Sequence, residues 1–411
     1  MVSEYSRLGL FKGFGVELEY MIVHRDSLAV LPIADLLLRA DDGTQYDEVE
    51  RGRLRWSNEL VLHVVELKTN GPATSLTGLA DEFQDQVAEI NRLLEPLQGR
   101  LMPGAMHPWM NPDLETRVWP YGNRDIYHAY DRIFGCKGHG WSNLQSAHLN
   151  LPFATDEEFG RLHAAIRLVL PLLPALSAAS PVMNGRITGL LDNRLEVYRF
   201  NQASIPSITG QVIPEAAFNQ ADYQRVILEA MYRDIAVHDP VGILQEEWLN
   251  SRGAIARFDR GTIEIRVLDV QECPAADLAI QQLLVVAIEE LTAQLHASFL
   301  DQKLWHEGPL IDLFNRVLKE GRGCLIDDPR YLSMFGFKEK TMTVGELWQR
   351  LAGRLLPDEH VAWPALSVIF DKGPLARRLM AALGDDPSMD CLAGVYRELC
   401  DCLKSGRMFH A

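Results

Sequence analysis

The sequence predicts an α+β protein in which a sheet of two-faced strands is backed by helices. Three observations carry this. Four separated segments alternate apolar and polar residues with the period of two that marks a strand with one buried face. Apolar residues from Leu76 to Leu97 recur at three- and four-residue steps, as in a long amphipathic helix. Residues 310–411 read as helical throughout, with loops at 321–330, 356–360 and 384–388.

The first strand is expected over residues 14–24. Within Gly15-Val16-Glu17-Leu18-Glu19-Tyr20, Glu17 and Glu19 share one face, and Val16, Leu18 and Tyr20 share the other. A second strand over 60–69 carries Glu66 and stops at Asn70-Gly71-Pro72; its alternation is less clean, because Leu62 and Val64 have the parity of Glu66. The amphipathic helix follows, with Thr74 or Ser75 as its cap. Residues 103–145 are rich in Pro, Gly, Trp and His and show little periodicity. So long an irregular stretch reads either as a lid or pocket wall, or as a surface meander pinned by its aromatic residues.

In the third strand Ser146, His148 and Asn150 oppose Ala147, Leu149 and Leu151. A helix then starts at the capping box Thr155-x-x-Glu158, with Pro171 and Pro174 expected to kink it. Behind the turn Ser180–Arg186 stand Arg186, Asp192, Arg194 and Arg199, which fit a solvated face or a clamp for carboxylate or phosphate. The fourth strand places Thr262, Glu264 and Arg266 opposite Ile263, Ile265 and Val267, and Pro274 opens another helix. No linker isolates a second unit. Residues 1–411 are therefore read as one catalytic domain, a sheet-and-helix core over about 10–300 and a helical part over about 301–411 packed on it.

Composition excludes several classes. The chain is 47% hydrophobic and 23% charged, with a formal charge of −16. That charge disfavours nucleic acid and acidic membrane surfaces. It leaves ATP open, because Mg²⁺ screens phosphates locally. No apolar run reaches the length of a membrane span, and Met1–Arg7 lacks the apolar core of a signal peptide. The six cysteines form no C-x-x-C pair, so free thiols in the cytoplasm are expected, with Cys400 and Cys402 serving as helix packing.

A solvated sheet face alternates in the same way as a catalytic one. Residue type separates the two. Solvated faces carry Lys, Thr, Ser and mixed charge, whereas these strands present Glu17, Glu19, Glu66, His148 and Glu264 with one cation, Arg266. Converging carboxylates repel unless cations neutralise them. Oxygen-rich ligation favours two or three Mg²⁺ or Mn²⁺ ions over Zn²⁺. Arg266, two residues from Glu264, would then face a transferred phosphoryl group, and phosphoryl transfer depends mainly on positioning and charge neutralisation. There is neither a G-x-x-x-x-G-K-S/T loop nor a kinase-type glycine loop, so phosphates would be held by metals and arginines on the sheet.

Five stretches in order carry a resemblance. They are Gly15–Tyr20, Val65-Glu-Leu-Lys-Thr-Asn70, Gln145-x-x-His148-x-Asn150, Leu176–Arg186 with Thr188-Gly189, and Gly261–Asp269. With them the chain resembles the carboxylate–amine ligase family related to plant-type glutamate–cysteine ligases, within the glutamine synthetase-like superfamily. The match spans about residues 10–300. It implies a twisted antiparallel sheet forming a concave active site, and an ATP- and Mg²⁺-dependent reaction through an acyl phosphate. By the same resemblance Glu17, Glu19, Glu66, His148 and Glu264 are the metal ligands, and Glu264 and Arg266 are catalytic, with Arg266 also on the nucleotide. Gln145, Asn150, Arg186, Arg194 and Arg199 fall to substrate binding.

The chain also departs from the family. Asn150 stands where many relatives complete a His-x-His pair, and Asn201–Gly210 matches nothing in the best-known ligases. The expected substrates are a small-molecule carboxylate, with the glutamate side chain as one candidate, and an amine. Their identity and the oligomeric state stay open. Two other readings remain, a metal-dependent hydrolase or transferase using the same strands and a non-catalytic homologue that binds ATP or an amino acid.

Overall fold

The computed structural model describes residues 7–411. The signal-peptide reading of Met1–Arg7 falls almost wholly outside them. The centre is an eight-stranded antiparallel sheet. Its strands are β1 (Gly15–His24), β2 (Glu48–Arg51), β3 (Leu54–Asn58), β4 (Val64–Thr69), β5 (Gly99–Met102), β6 (Ser146–Pro152), β9 (Ala254–Arg257) and β10 (Thr262–Asp269), with the small hairpin β7 (Val182–Met183) and β8 (Arg186–Ile187) lying outside it. The order is β2-β3-β4-β1-β6-β10-β9, and β5 pairs with the far half of β1.

One face is apolar. Val16, Leu18, Tyr20, Trp56, Leu67, Ala147, Leu149, Ile263 and Ile265 are all buried there. Helix Leu79–Leu94 buries Leu79, Phe83, Val87, Ile90 and Leu94, the stripe expected from its periodicity. It packs beside helix Pro274–Thr292, which in turn packs against Asp156–Val169. Each fully buried Leu or Phe contributes about 1.5–3 kcal/mol, so this layer fixes which side of the sheet is left for chemistry. The C-terminal helices Val344–Leu355 and Trp363–Lys372 pack on Pro274–Thr292, and Met389–Ser405 packs on β5.

Several local expectations need correction. Neither Thr74 nor Ser75 caps the first long helix. Ser75 Oγ accepts from Thr77 N in a local turn, and Gly78 precedes Leu79 at φ 86°, a left-handed conformation suited to glycine. Thr155 does cap its helix, but the Glu158 carboxylate accepts from Ala154 N rather than closing the box on Thr155. Pro171 and Pro174 break that helix outright into a 3₁₀ turn at Leu170–Leu172 and a short helix at Pro174–Ser177. Residues 103–145 are not irregular throughout, since they contain the helix Arg124–Phe134. The 321–330 loop holds a strand, Leu325–Ile326, paired with Met342–Thr343. All six cysteines are free, and Cys400 and Cys402 are buried. Among the described residues no helix is long and apolar enough to cross a membrane.

Candidate active site on the polar face of the sheet

Side chains on the other face form rows across the sheet. One row runs Glu48, Ser57, Glu66, Glu19 over β2, β3, β4 and β1. The next runs Arg55, Lys68, Glu17, His148 over β3, β4, β1 and β6. Asn150 lies opposite Glu264 on β10. Strand alternation aims each of these residues the same way, and register then brings together positions up to 247 residues apart, Glu17 and Glu264.

The face forms the floor of a cavity of about 610 Å³. Its roof includes Ile126, Tyr127 and Tyr130, spaced along helix Arg124–Phe134, together with Trp141. Tyr127 Oη accepts from Asn58 Nδ2 at 3.0 Å, which ties this helix to the sheet. Part of the 103–145 stretch is thus a pocket wall. Other aromatic and histidine residues of the stretch do not line the cavity: His107 bonds the Leu28 carbonyl, and Trp119 donates to Asp47 from behind the wall.

The cavity is electrically polarised. Toward β2 and β3 it is lined by Asp47, Glu48 and Glu59, and toward β9 and β10 by Arg257, Arg260 and Arg266. Between them lie two clusters whose ligand atoms fall within 4.8 Å of one another, Glu17–Glu66–His148 and Glu19–Glu59–Glu66. The second offers three carboxylate oxygens and the first two carboxylate oxygens and an imidazole nitrogen, sets that suit Mg²⁺ or Mn²⁺. The residues present therefore fit divalent ions.

Hydrogen bonds and burial set the protonation states. His148 Nδ1 is 2.9 Å from Glu17 Oε2, and Nε2 is 2.9 Å from Ser146 Oγ. Burial pulls the His148 pKa down, but the bond and charge of Glu17 outweigh it and leave it above the usual histidine value. Glu17 is pushed up by burial and pulled further down by His148, ending below its ordinary value. Glu264 is opposed by burial but held at about 2 by Arg266. Burial, aided by Glu66, raises Glu19. Burial, Glu19 and Glu66 together push Glu59 well above its ordinary value. A cation placed among these groups would reverse the last two effects.

Glu17, Glu19, Glu66, His148, Glu264 and Arg266 all line the cavity. The proposed arginine clamp is different. Arg186 is exposed on the β7–β8 hairpin. Arg199 pairs with Glu196 and with Asn315, away from the cavity. Arg194 does reach the cavity wall, but its guanidinium is spent on Asp269 at 3.2 Å and on the Arg266 carbonyl at 2.7 Å. Asn150 donates to Glu17 at 3.0 Å, so its amide supports a carboxylate of the array. Gln145 is completely buried.

Other lining residues escaped the sequence reading. Glu59 follows β3, a strand whose alternation of Leu54 and Trp56 with Arg55 and Ser57 was legible. Lys68 sits in the matched Val65–Asn70 stretch. Asn201 and Gln202 open the unmatched segment and line the wall beside Ser251 and Trp248. Gln202 is fixed by donating to Ser251 Oγ at 2.9 Å and accepting from Thr209 Oγ1 at 2.5 Å.

A carboxylate–histidine array with an arginine beside it thus lies on one face of an antiparallel sheet, with a donor set that suits divalent cations. A model of glutamate–cysteine ligase family 2 matches residues 13–386, and the chain belongs to that family. It is 38% identical over 282 residues to an uncharacterized protein of Archaeoglobus fulgidus, covering 67% of this chain and 75% of that one. It is 26% identical over 347 residues to a Rubrobacter xylanophilus protein provisionally named glutamate–cysteine ligase, covering 84% of this chain and 83% of the relative.

Among solved structures, the glutamate–cysteine ligase of Francisella tularensis in complex with AMP superposes with a TM-score of 0.60 at 13% identity, covering 98% of this chain and 90% of that one. A bifunctional glutathione synthetase from Pasteurella multocida gives 0.56 at 14% identity over 96% of this chain, which spans about half (53%) of that protein's length. At these identities the likeness is one of fold.

Proposed function

We propose that the chain is an ATP-dependent ligase that joins a carboxylate to an amine. The observation that carries this is the convergence of Glu17, Glu19, Glu66, His148 and Glu264 with Arg266 on one cavity floor, in a chain of the glutamate–cysteine ligase family. The names of the relatives and the AMP complex of a fold neighbour support it. Bound Mg²⁺ or Mn²⁺ would neutralise phosphate charge, held by Glu17, Glu66 and His148 and by Glu19, Glu59 and Glu66, with Glu264 beside them.

The donor carboxylate oxygen attacks the γ-phosphorus, and the bond to ADP breaks. Arg266 stabilises charge on the equatorial oxygens of the phosphoryl group as it moves. The amine nitrogen then attacks the acyl carbon, and phosphate leaves with the bonding pair. The departing phosphate takes up the proton that the amine loses. Tyr127, Tyr130 and Trp141 keep water from the acyl phosphate.

Phosphate release from ATP across a panel of amino acids and amines, starting with glutamate and cysteine, tests this reading. Release that requires both a carboxylate and an amine supports it. Nucleotide-independent hydrolysis, or tight ATP binding with no turnover on any pair, overturns it. Melting with and without ATP in Mg²⁺ separates those two failures.

A further inference from the structure

Lys68 stands among the carboxylates that would hold the ions. It lies directly opposite Glu17 on the neighbouring strand and two residues beyond Glu66 on its own. Its side chain therefore rises from the cavity face next to both. Nζ is 2.9 Å from Glu66 Oε2 and 3.6 Å from Glu48 Oε2. Ser57 Oγ donates to the same Glu66 oxygen.

Glu66 is the member shared by both clusters. A carboxylate that bridges two ions most often gives one oxygen to each. With Oε2 held by Lys68 and Ser57, Glu66 can serve one ion through Oε1, and a second ion must displace the ammonium. The two clusters are not equal in this respect. In Glu17–Glu66–His148, two of the three ligands flank Lys68, and the third is already bonded to Glu17. Lys68 Nζ pairs with Glu66 in both clusters, but Glu17 lies directly across from Lys68, whereas Glu19 lies across from Glu66 and Glu59 lies beyond the end of β3.

We propose that Lys68 is a tethered competitor of the histidine-containing ion position, so that the free protein loads the Glu19–Glu59–Glu66 ion first and the Glu17–Glu66–His148 ion only when Lys68 is displaced. The inference rests on the reading of the array as a divalent-ion site. Its functional consequence is ordered loading. The empty array is held together by an internal cation, and the second ion enters most readily with a nucleotide whose phosphates supply further ligands and draw the ammonium away from Glu66. Lys68 is thus a positioning residue acting through Glu66.

The test is a Mn²⁺ titration of the nucleotide-free protein, with free ion followed by electron paramagnetic resonance and histidine coordination read from nitrogen modulation of the bound-ion signal. The wild type should show a tight class without nitrogen modulation and a weaker class that carries it. Lys68→Met should tighten the weaker class by about 10- to 100-fold, the range over which side chains touching metal ligands change affinity. Nitrogen modulation should then appear at low Mn²⁺. Lys68→Arg, which keeps the charge, should resemble the wild type.

Nitrogen modulation in the tight class of the wild type overturns the proposal without any variant. So do superimposable isotherms for the wild type and Lys68→Met, or weaker binding in Lys68→Met when its melting transition is intact. Binding of no Mn²⁺ by any form overturns the metal-array reading itself, a different result from binding that ignores Lys68.

Discussion

Arg266 Nε donates to Glu264 Oε1 at 2.5 Å, from two residues further along the same strand. The pair has two readings with different consequences. If Arg266 serves the phosphoryl group, Arg266→Ala should lower kcat roughly 10²-fold or more while ATP affinity changes less. Arg266→Lys should recover only part, since an ammonium cannot reproduce the planar guanidinium. If Arg266 only neutralises Glu264, the melting temperature falls and turnover per folded molecule is kept. Both quantities measured on one preparation decide.

Two groups of the empty array give opposite pH limbs. The pKa of Glu264 is about 2 in the folded protein against an ordinary 4.5. Its contribution to stability is therefore present above about 4.5 and lost as pH falls toward 2. His148 is raised above 6.5. Its contribution is complete below 6.5 and lost as pH rises through the raised value. In EDTA the melting temperature should fall at both ends. His148→Gln should flatten the alkaline limb and weaken the acidic one only in part, since Arg266 is the larger cause of the Glu264 depression and His148 the smaller, and parallel curves would refute this origin.

Burial and the charges of Glu19 and Glu66 push the Glu59 carboxyl well above its ordinary value, which favours its neutral form in the empty cavity. Glu59→Gln should therefore leave the stability of the metal-free protein within about 0.5 kcal/mol of wild type. It should also reduce the stabilisation that Mn²⁺ confers and lower turnover. A loss of metal-free stability beyond that margin would show that Glu59 is ionised and paired.

Arg194 and Asp269 are 3.2 Å apart, with side chains 2% and 0% exposed. Removing one partner leaves an uncompensated buried charge. Asp269→Ala should cost about 3–5 kcal/mol by chemical denaturation. A cost below about 1 kcal/mol would mean that water reaches Arg194.

Arg186 is solvent-exposed on its hairpin. Arg186→Ala should leave the KM for both substrates and for ATP unchanged within about twofold, as surface changes usually do. A selective rise in the carboxylate KM would restore the clamp and require the hairpin to move on binding.

The legible parts of the site are those decided by strand parity. Glu17 and Glu19, His148 and Asn150, and Glu264 and Arg266 could each be placed on one face because side-chain period is local to the strand. Glu66 was the weakest of these, because Leu62 and Val64 suggested a continuous parity. The strand in fact starts only at Val64, after a turn, so Leu62 carries no parity information. The arginines failed for a different reason. A guanidinium near a matched motif says nothing about its partner, and Asp269, Glu196 and Asn315 had already taken Arg194 and Arg199.

By itself, the sequence determined that strands with one apolar face would be backed by amphipathic helices, and which carboxylates lay together on the other face. Both follow from periodicities within a few residues. Only the tertiary structure decided what those faces met. Between Ile265 and Leu268 the β10–β6 register shifts by one residue, so Asp269 lies opposite Ser146 on the cavity side, where strict alternation from Glu264 would have turned it to the core. Glu59 and Lys68 joined the array because β3 and β4 pair in one register, and Tyr127 closed over it because a distant helix docks there. Register, bulges and docking depend on pairings between segments far apart in the chain, and a local pattern carries no record of them.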